Sequence, residues 1–186
     1  KKKLLVLGFL GIGGLAGGTL AVTLAAFVIS AWLGLPLDVF GFNEGPEQPI
    51  AFPHTTHVQD IGLDCTFCHR NVTKGGAASI PAVGLCMTCH TTVGHDKPEI
   101  KKLLSFHDMG RPIDWVRVHR VPDHVKFVHE PHIRHFSEKD NVNPSGTCQI
   151  CHGDVGSMTK VSQIRSLKMG DCVDCHRDND APTDCS

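Results

Sequence analysis

Apolar and polar positions are distributed very unevenly along this chain. Residues 4–33, LLVLGFLGIGGLAGGTLAVTLAAFVISAWL, contain no charged side chain, and Lys1, Lys2 and Lys3 stand directly before them. At about 1.5 Å rise per residue, a helix over this run exceeds the roughly 30 Å of a bilayer's hydrocarbon core, so one tilted transmembrane helix is expected. The competing reading is a cleaved signal peptide, whose apolar region usually runs only about 7–15 residues. Basic flanks stay cytoplasmic, which places everything after Trp32 on the periplasmic side. The sequence has no starting Met and need not begin where translation does. Gly13/Gly17 and Gly14/Gly18 form two G-x-x-x-G spacings, a smooth face for close approach of a partner helix. A merely glycine-tolerant, lipid-facing helix is the alternative.

Beyond the anchor the pattern changes. Residues 34–51, GLPLDVFGFNEGPEQPIA, read as a linker punctuated by Pro and Gly. Residues 52–186 contain few long apolar runs, and the chain has no Tyr. One segment, DKPEIKKLLSFH, has helical periodicity: Asp96 is the expected N-cap, Glu99 follows three residues later, and Ile100, Leu103, Leu104 and His107 share a face. The expected fold is therefore mostly irregular with short α-helices. A domain of this size ordinarily needs a larger apolar core, so something other than side chains is expected to fill the interior. The formal charge of −1 gives no reason to expect nucleic acid as a partner.

Nine Cys and 13 His point to the filler. C-x-x-C-H occurs four times, at Cys65/Cys68/His69, Cys86/Cys89/His90, Cys148/Cys151/His152 and Cys172/Cys175/His176. Two cysteines three apart can form thioethers to the two vinyl groups of one haem, and the next residue then supplies the proximal iron ligand. Structural zinc would need two Cys pairs per metal and no His after each second Cys. Disulfides are compatible with a periplasmic location but do not explain four identical tripartite motifs. The motifs imply c-type haem, which is attached outside the cytoplasm and so agrees with the topology read from the lysines.

The other nine histidines hold a repeat. FPHTTH (Phe52, His54, His57) and FVHEPH (Phe127, His129, His132) both read F-x-H-x-x-H, and each precedes two haem motifs. The chain reads as two halves, about 52–90 and 127–186, joined by 91–126. Histidines three apart share a helical face and can serve two neighbouring haems as distal ligands. A solvated histidine pair is the bland alternative. Bis-histidine ligation would close the iron to substrates and leave electron transfer as its work. Further distal candidates are His119, His124, His135, His107 and His95, with Met158 and Met169 as possible thioether ligands. His107 also reads as a basic residue near a helix C-terminus.

The F-x-H-x-x-H stretches ahead of paired motifs resemble class III cytochromes c. WVRVHRVPDHVKFVHEPHIRH, CQICHGDVGSM and LKMGDCVDCHRDND resemble more specifically the membrane-anchored multihaem cytochrome subunit of alternative complex III. That resemblance implies five haems c and electron relay from quinol oxidation to a periplasmic acceptor. It also implies partner subunits that include an iron–sulfur subunit and a monohaem cytochrome. It maps His54, His57, His129 and His132 onto distal positions, and His119 is similar to a family ligand. Only four complete motifs are present, and Cys185 is expected to open a fifth whose remainder lies beyond residue 186; a free or disulfide-forming cysteine is the alternative. Two other functions stay open: an anchored tetrahaem quinol dehydrogenase, and a free-standing anchored electron carrier. In the dehydrogenase the first haem follows its helix at once, whereas here Cys65 lies more than thirty residues past Trp32.

Overall fold

A computed structural model describes residues 2–33 and 45–184, with side chains of the first helix described for residues 17–32. The chain divides into two compact units, 1–43 and 44–186. The first holds helix α1, Lys2–Leu33, 32 residues long. At about 1.5 Å per residue that backbone runs some 48 Å. Among the residues described with side chains, a set that takes in only half of α1, no helix is long and apolar enough to cross a membrane.

The second unit is helical, with no strand among its described residues. Its helices are short: α2 Cys65–Cys68, α3 Val83–His90, α4 Pro98–Asp108, α5 His129–Asp140, α6 Gln149–His152 and α7 Met169–Asp178. A π-helical turn, Thr56–Asp60, and 3₁₀ turns at Pro144–Thr147 and Val155–Ser157 complete it. The apolar core is one modest cluster of Ile50, Met87, Leu103 and Ile113, flanked by Val83, Ile100, Leu104, Phe106 and Trp115. Helix α4 joins it through the face its periodicity predicts, with Leu103 buried and His107 exposed.

Two sequence expectations change here. Asp96 is not the cap of α4: Lys97 is the N-cap and Pro98 opens the helix. Proline at the first helical position costs no hydrogen bond, and Glu99 instead accepts from the Ala51 N–H at 2.7 Å. The described end of the supposed linker 34–51 is part of the folded unit. Ile50 is in the core, and the Gln48 amide exchanges two 2.9 Å hydrogen bonds with the backbone of Val116. At Gly45 a Cβ would meet the Val161 carbonyl oxygen at 1.7 Å, so no side chain fits there. Residues 34–44 lie outside the described set.

Candidate haem-binding site

Each haem motif is tied to a short helix. Asp64 caps α2, its carboxylate accepting from the Thr66 N–H at 2.8 Å. That single turn carries Cys65 and Cys68 at i and i+3, on one face, and delivers His69 at its C-terminal end. His90 ends α3 and His152 ends α6, while His176 lies in the last turn of α7. The eight described motif cysteines form no disulfides. Seven of them are half-buried, but Cys89 is exposed on α3, so the second motif is the one whose thioether position lies most open in the polypeptide alone. Cys175, half-buried on α7, accepts from the Asn179 side-chain amide through its Sγ at 3.9 Å, a contact that ties the fourth motif to the end of its own helix. Burial holds the Cys68, Cys86 and Cys151 thiols above their usual range. A hydrogen bond with Cys65, then burial, pushes the Cys148 thiol up.

The repeat seen in sequence recurs in space. Phe52 stacks on His57 at 4.3 Å and meets His54 edge-on at 5.0 Å. Phe127 lies 4.6 Å from His132, tilted 33°, and meets His129 edge-on at 4.8 Å. His129 and His132 open α5. Their counterparts flank the start of the π-helical turn.

Imidazoles from these repeats face motif histidines at a constant separation. Ring centroids are 6.2 Å apart for His57 and His90, 6.4 Å for His129 and His152, and 6.0 Å for His132 and His176. Two imidazoles on opposite sides of one metal, each with nitrogen about 2 Å from it and about 1.1 Å from its own ring centre, stand about 6.2 Å apart. Haem iron therefore fits between each pair. His54 is near His69, whose charge, after burial and ahead of His57, helps lower the His54 pKa to about 4. Burial first, then the charges of His119, His129 and His69, likewise lowers His152 to about 4. Both rings are thus neutral at neutral pH, the form a metal binds.

Second contacts support the same chemistry. Nδ1 donates to a backbone carbonyl in His57 (Pro53, 2.9 Å), His69 (Ser79, 2.6 Å), His90 (Val93, 3.0 Å), His129 (Gly76, 2.7 Å) and His132 (Val128, 2.7 Å). His176 does so to Pro182. A carbonyl only accepts, so the proton sits on Nδ1 and each Nε2 keeps its lone pair for a metal. The His54 Nδ1 and His119 Nε2 atoms are buried without a partner, a cost unless a group from outside the polypeptide meets them. Among the described residues no group of three or more His, Cys, Asp or Glu side chains is placed to hold a bare metal ion.

The remaining candidates separate by exposure. His95, His107, His124 and His135 are exposed, while His54, His57, His119, His129 and His132 are half-buried. His119 meets His152 edge-on at 4.4 Å, too close for an iron to lie between them. Met169 is exposed at the start of α7. Met158 serves through its carbonyl, which accepts from the N–H groups of His54 and Thr55. Cys185 lies outside the described residues. Sequence reading overlooked the carbonyls of Ser79 and Gly76, because nothing in a loop's composition says where its backbone oxygens point.

Residues 41–120 match the class III cytochrome C family. The match takes in His54, His57, the first two motifs and His119. Among characterised proteins, the chain is similar to the multiheme cytochrome c subunit of menaquinone reductase from Nitratidesulfovibrio vulgaris strain Hildenborough. The two are 28% identical over 173 residues, covering 83% of this chain and 78% of that protein.

Proposed function

We propose that this protein is the multihaem electron relay of a membrane quinol oxidoreductase of the alternative complex III type. It carries at least four haems c and passes electrons toward a periplasmic acceptor. The observation that carries the reading is the set of three imidazole pairs 6.0 to 6.4 Å apart, each joining a repeat histidine to a motif histidine. Haem supplies reversible one-electron carriage at iron. The chain supplies the rest. The motif cysteines would fix each group covalently, and the paired imidazoles would hold its iron. By the repeat, His54 serves opposite His69 as His129 serves opposite His152. His119, with its buried unpartnered Nε2, is the spare axial nitrogen for a fifth haem. The chain is an electron-transfer subunit and not a catalyst on its own.

A single-pass anchor with a cytoplasmic N-terminus rests on the uncharged stretch 4–33 behind three lysines, a stretch that is helical as α1. On this reading residues 52–186 are periplasmic, and the partners include an iron–sulfur subunit and a monohaem cytochrome. A second reading reverses the current. The relative's name, a menaquinone reductase, favours electrons leaving to quinone.

The test uses the detergent-extracted complex. His57→Ala and His132→Ala should each convert one haem to a high-spin form that binds carbon monoxide and should slow turnover. Fully low-spin, unreactive haems in both variants would sink the ligand reading. Turnover as a quinol:acceptor oxidoreductase supports the first direction, and quinone reduction by a reduced periplasmic donor the second.

A further inference from the structure

The two halves of the haem unit hold each other by matching contacts. The residue after the first repeat histidine is Thr55 in one half and Glu130 in the other. The Thr55 N–H bonds the carbonyl of Met158 at 3.3 Å, and the Glu130 N–H bonds the carbonyl of Gly75 at 3.3 Å. Met158 lies six residues beyond His152, and Gly75 lies six residues beyond His69. Each half thus docks its ligand turn on the loop that follows the other half's first motif, at the same position and the same distance. The first cysteines of the two motifs, Cys65 and Cys148, also meet each other across the halves. Beside them the Ser145 hydroxyl donates to Asp64 at 2.6 Å. The 75–79 loop serves both sides: His69 of its own half donates to Ser79, and His129 of the other half donates to Gly76. The symmetry is incomplete, since His54 Nδ1 has no counterpart to the His129–Gly76 bond.

We infer that the halves form an internal pseudo-dimer whose twofold axis passes between Cys65 and Cys148, so that electrons cross between halves only there. Along the relay the motifs then run Cys86–His90, Cys65–His69, Cys148–His152, Cys172–His176, which is not their order in sequence. Within each half, ligands three residues apart on one helical turn keep the two sites adjacent. Across the axis the first motif of each half is the inner one. With haem at both sites, one electron would pass at the junction, oxidising the site on one side as the other is reduced, with no proton or bond change. The four histidine pairs it uses are those of the proposed function, on which this inference rests.

The test tags one site at a time in the holoprotein and reads its neighbours by electron paramagnetic resonance during a potentiometric titration. A His→Met change raises the potential of its own site, which is then reduced first, becomes diamagnetic and ceases to perturb adjacent ferric sites. His57→Met should alter the signal of one other haem, and His54→Met those of two. In the double variant His54→Met/His129→Met, the second of those two signals should be the one that has moved to higher potential. If His57→Met alters two signals, or the second neighbour of the His54 site is untouched by the added His129→Met, the order is overturned while the ligand assignment stands. A tag that raises no site's potential overturns both.

Discussion

Asp64 shows how much one side chain does at the junction. Its carboxylate caps α2, accepts from Thr66 and binds Ser145 of the other half. The Ser145 hydrogen bond, then those of Thr66, hold it below the usual carboxylate range. A depressed pKa contributes stability above the unfolded value of about 3.9 and loses it as pH falls through the folded value. Asp64→Asn keeps the cap but loses the charge. Its urea midpoint at pH 7 should fall by the equivalent of about 0.5–1 kcal/mol, solvent exposure keeping the effect small. The two proteins should converge as pH falls through the folded value. Equal midpoints at pH 7, followed by the low-spin haem band, would show that the clasp adds nothing. At this scale the sequence was informative where spacing carried the signal, as at His54, His57, His129 and His132. Spacing alone could not separate His119 from His124, which lie five apart in one irregular stretch; the family resemblance favoured His119, and the two differ in burial. Nor could it tell exposed Cys89 from half-buried Cys175, since both hold the same place in identical motifs.

Elements were legible in proportion to how locally they are determined. The four motifs needed only their own spacing, and α4 only its apolar face. The start of α4 was misplaced because Glu99, which would have served a local capping box, is drawn to Ala51 nearly fifty residues earlier. Residues 45–51 read as a linker for the same reason: their contacts with Val116, Glu99 and Val161 are all distant in sequence. Helix α1 poses the opposite case, a clear local pattern whose purpose lies outside the chain. A Cβ at Gly17 or Gly18 would meet nothing within 4 Å, so this chain itself tolerates larger residues there. Gly17→Leu/Gly18→Leu should leave the haem spectra unchanged and reduce recovery of the intact complex from detergent, because only a partner helix would object. Full recovery on size-exclusion chromatography would mean the glycine face packs against lipid.

At the scale of the whole molecule the telling quantity is how little apolar side chain is put away. Only six hydrophobic residues of the described chain are buried, Ile50, Val72, Met87, Leu103, Ile113 and Ile133, and no large side chain is fully enclosed. Ordinary domains of this length bury about two thirds of their surface, and each ordered residue must offset about 1–2 kcal/mol of backbone entropy. Meanwhile Phe67, between the cysteines of the first motif, and Val93, whose carbonyl orients His90, stay open to solvent in the polypeptide alone. Ile164 and Val142 are likewise open. A large flat apolar group bound at each motif would cover such surfaces and supply the missing interior. A chain with all eight described motif cysteines changed to serine can bind no haem covalently at the four complete motifs. It should show no cooperative thermal transition by circular dichroism and should lose the helix signal of α2–α7, none longer than 12 residues and so marginal alone, while α1 keeps its own. A sharp transition in that variant would mean that Ile50, Met87, Leu103 and Ile113 suffice as a core. The pairing of the halves across Cys65 and Cys148 would then have to stand on its backbone hydrogen bonds alone.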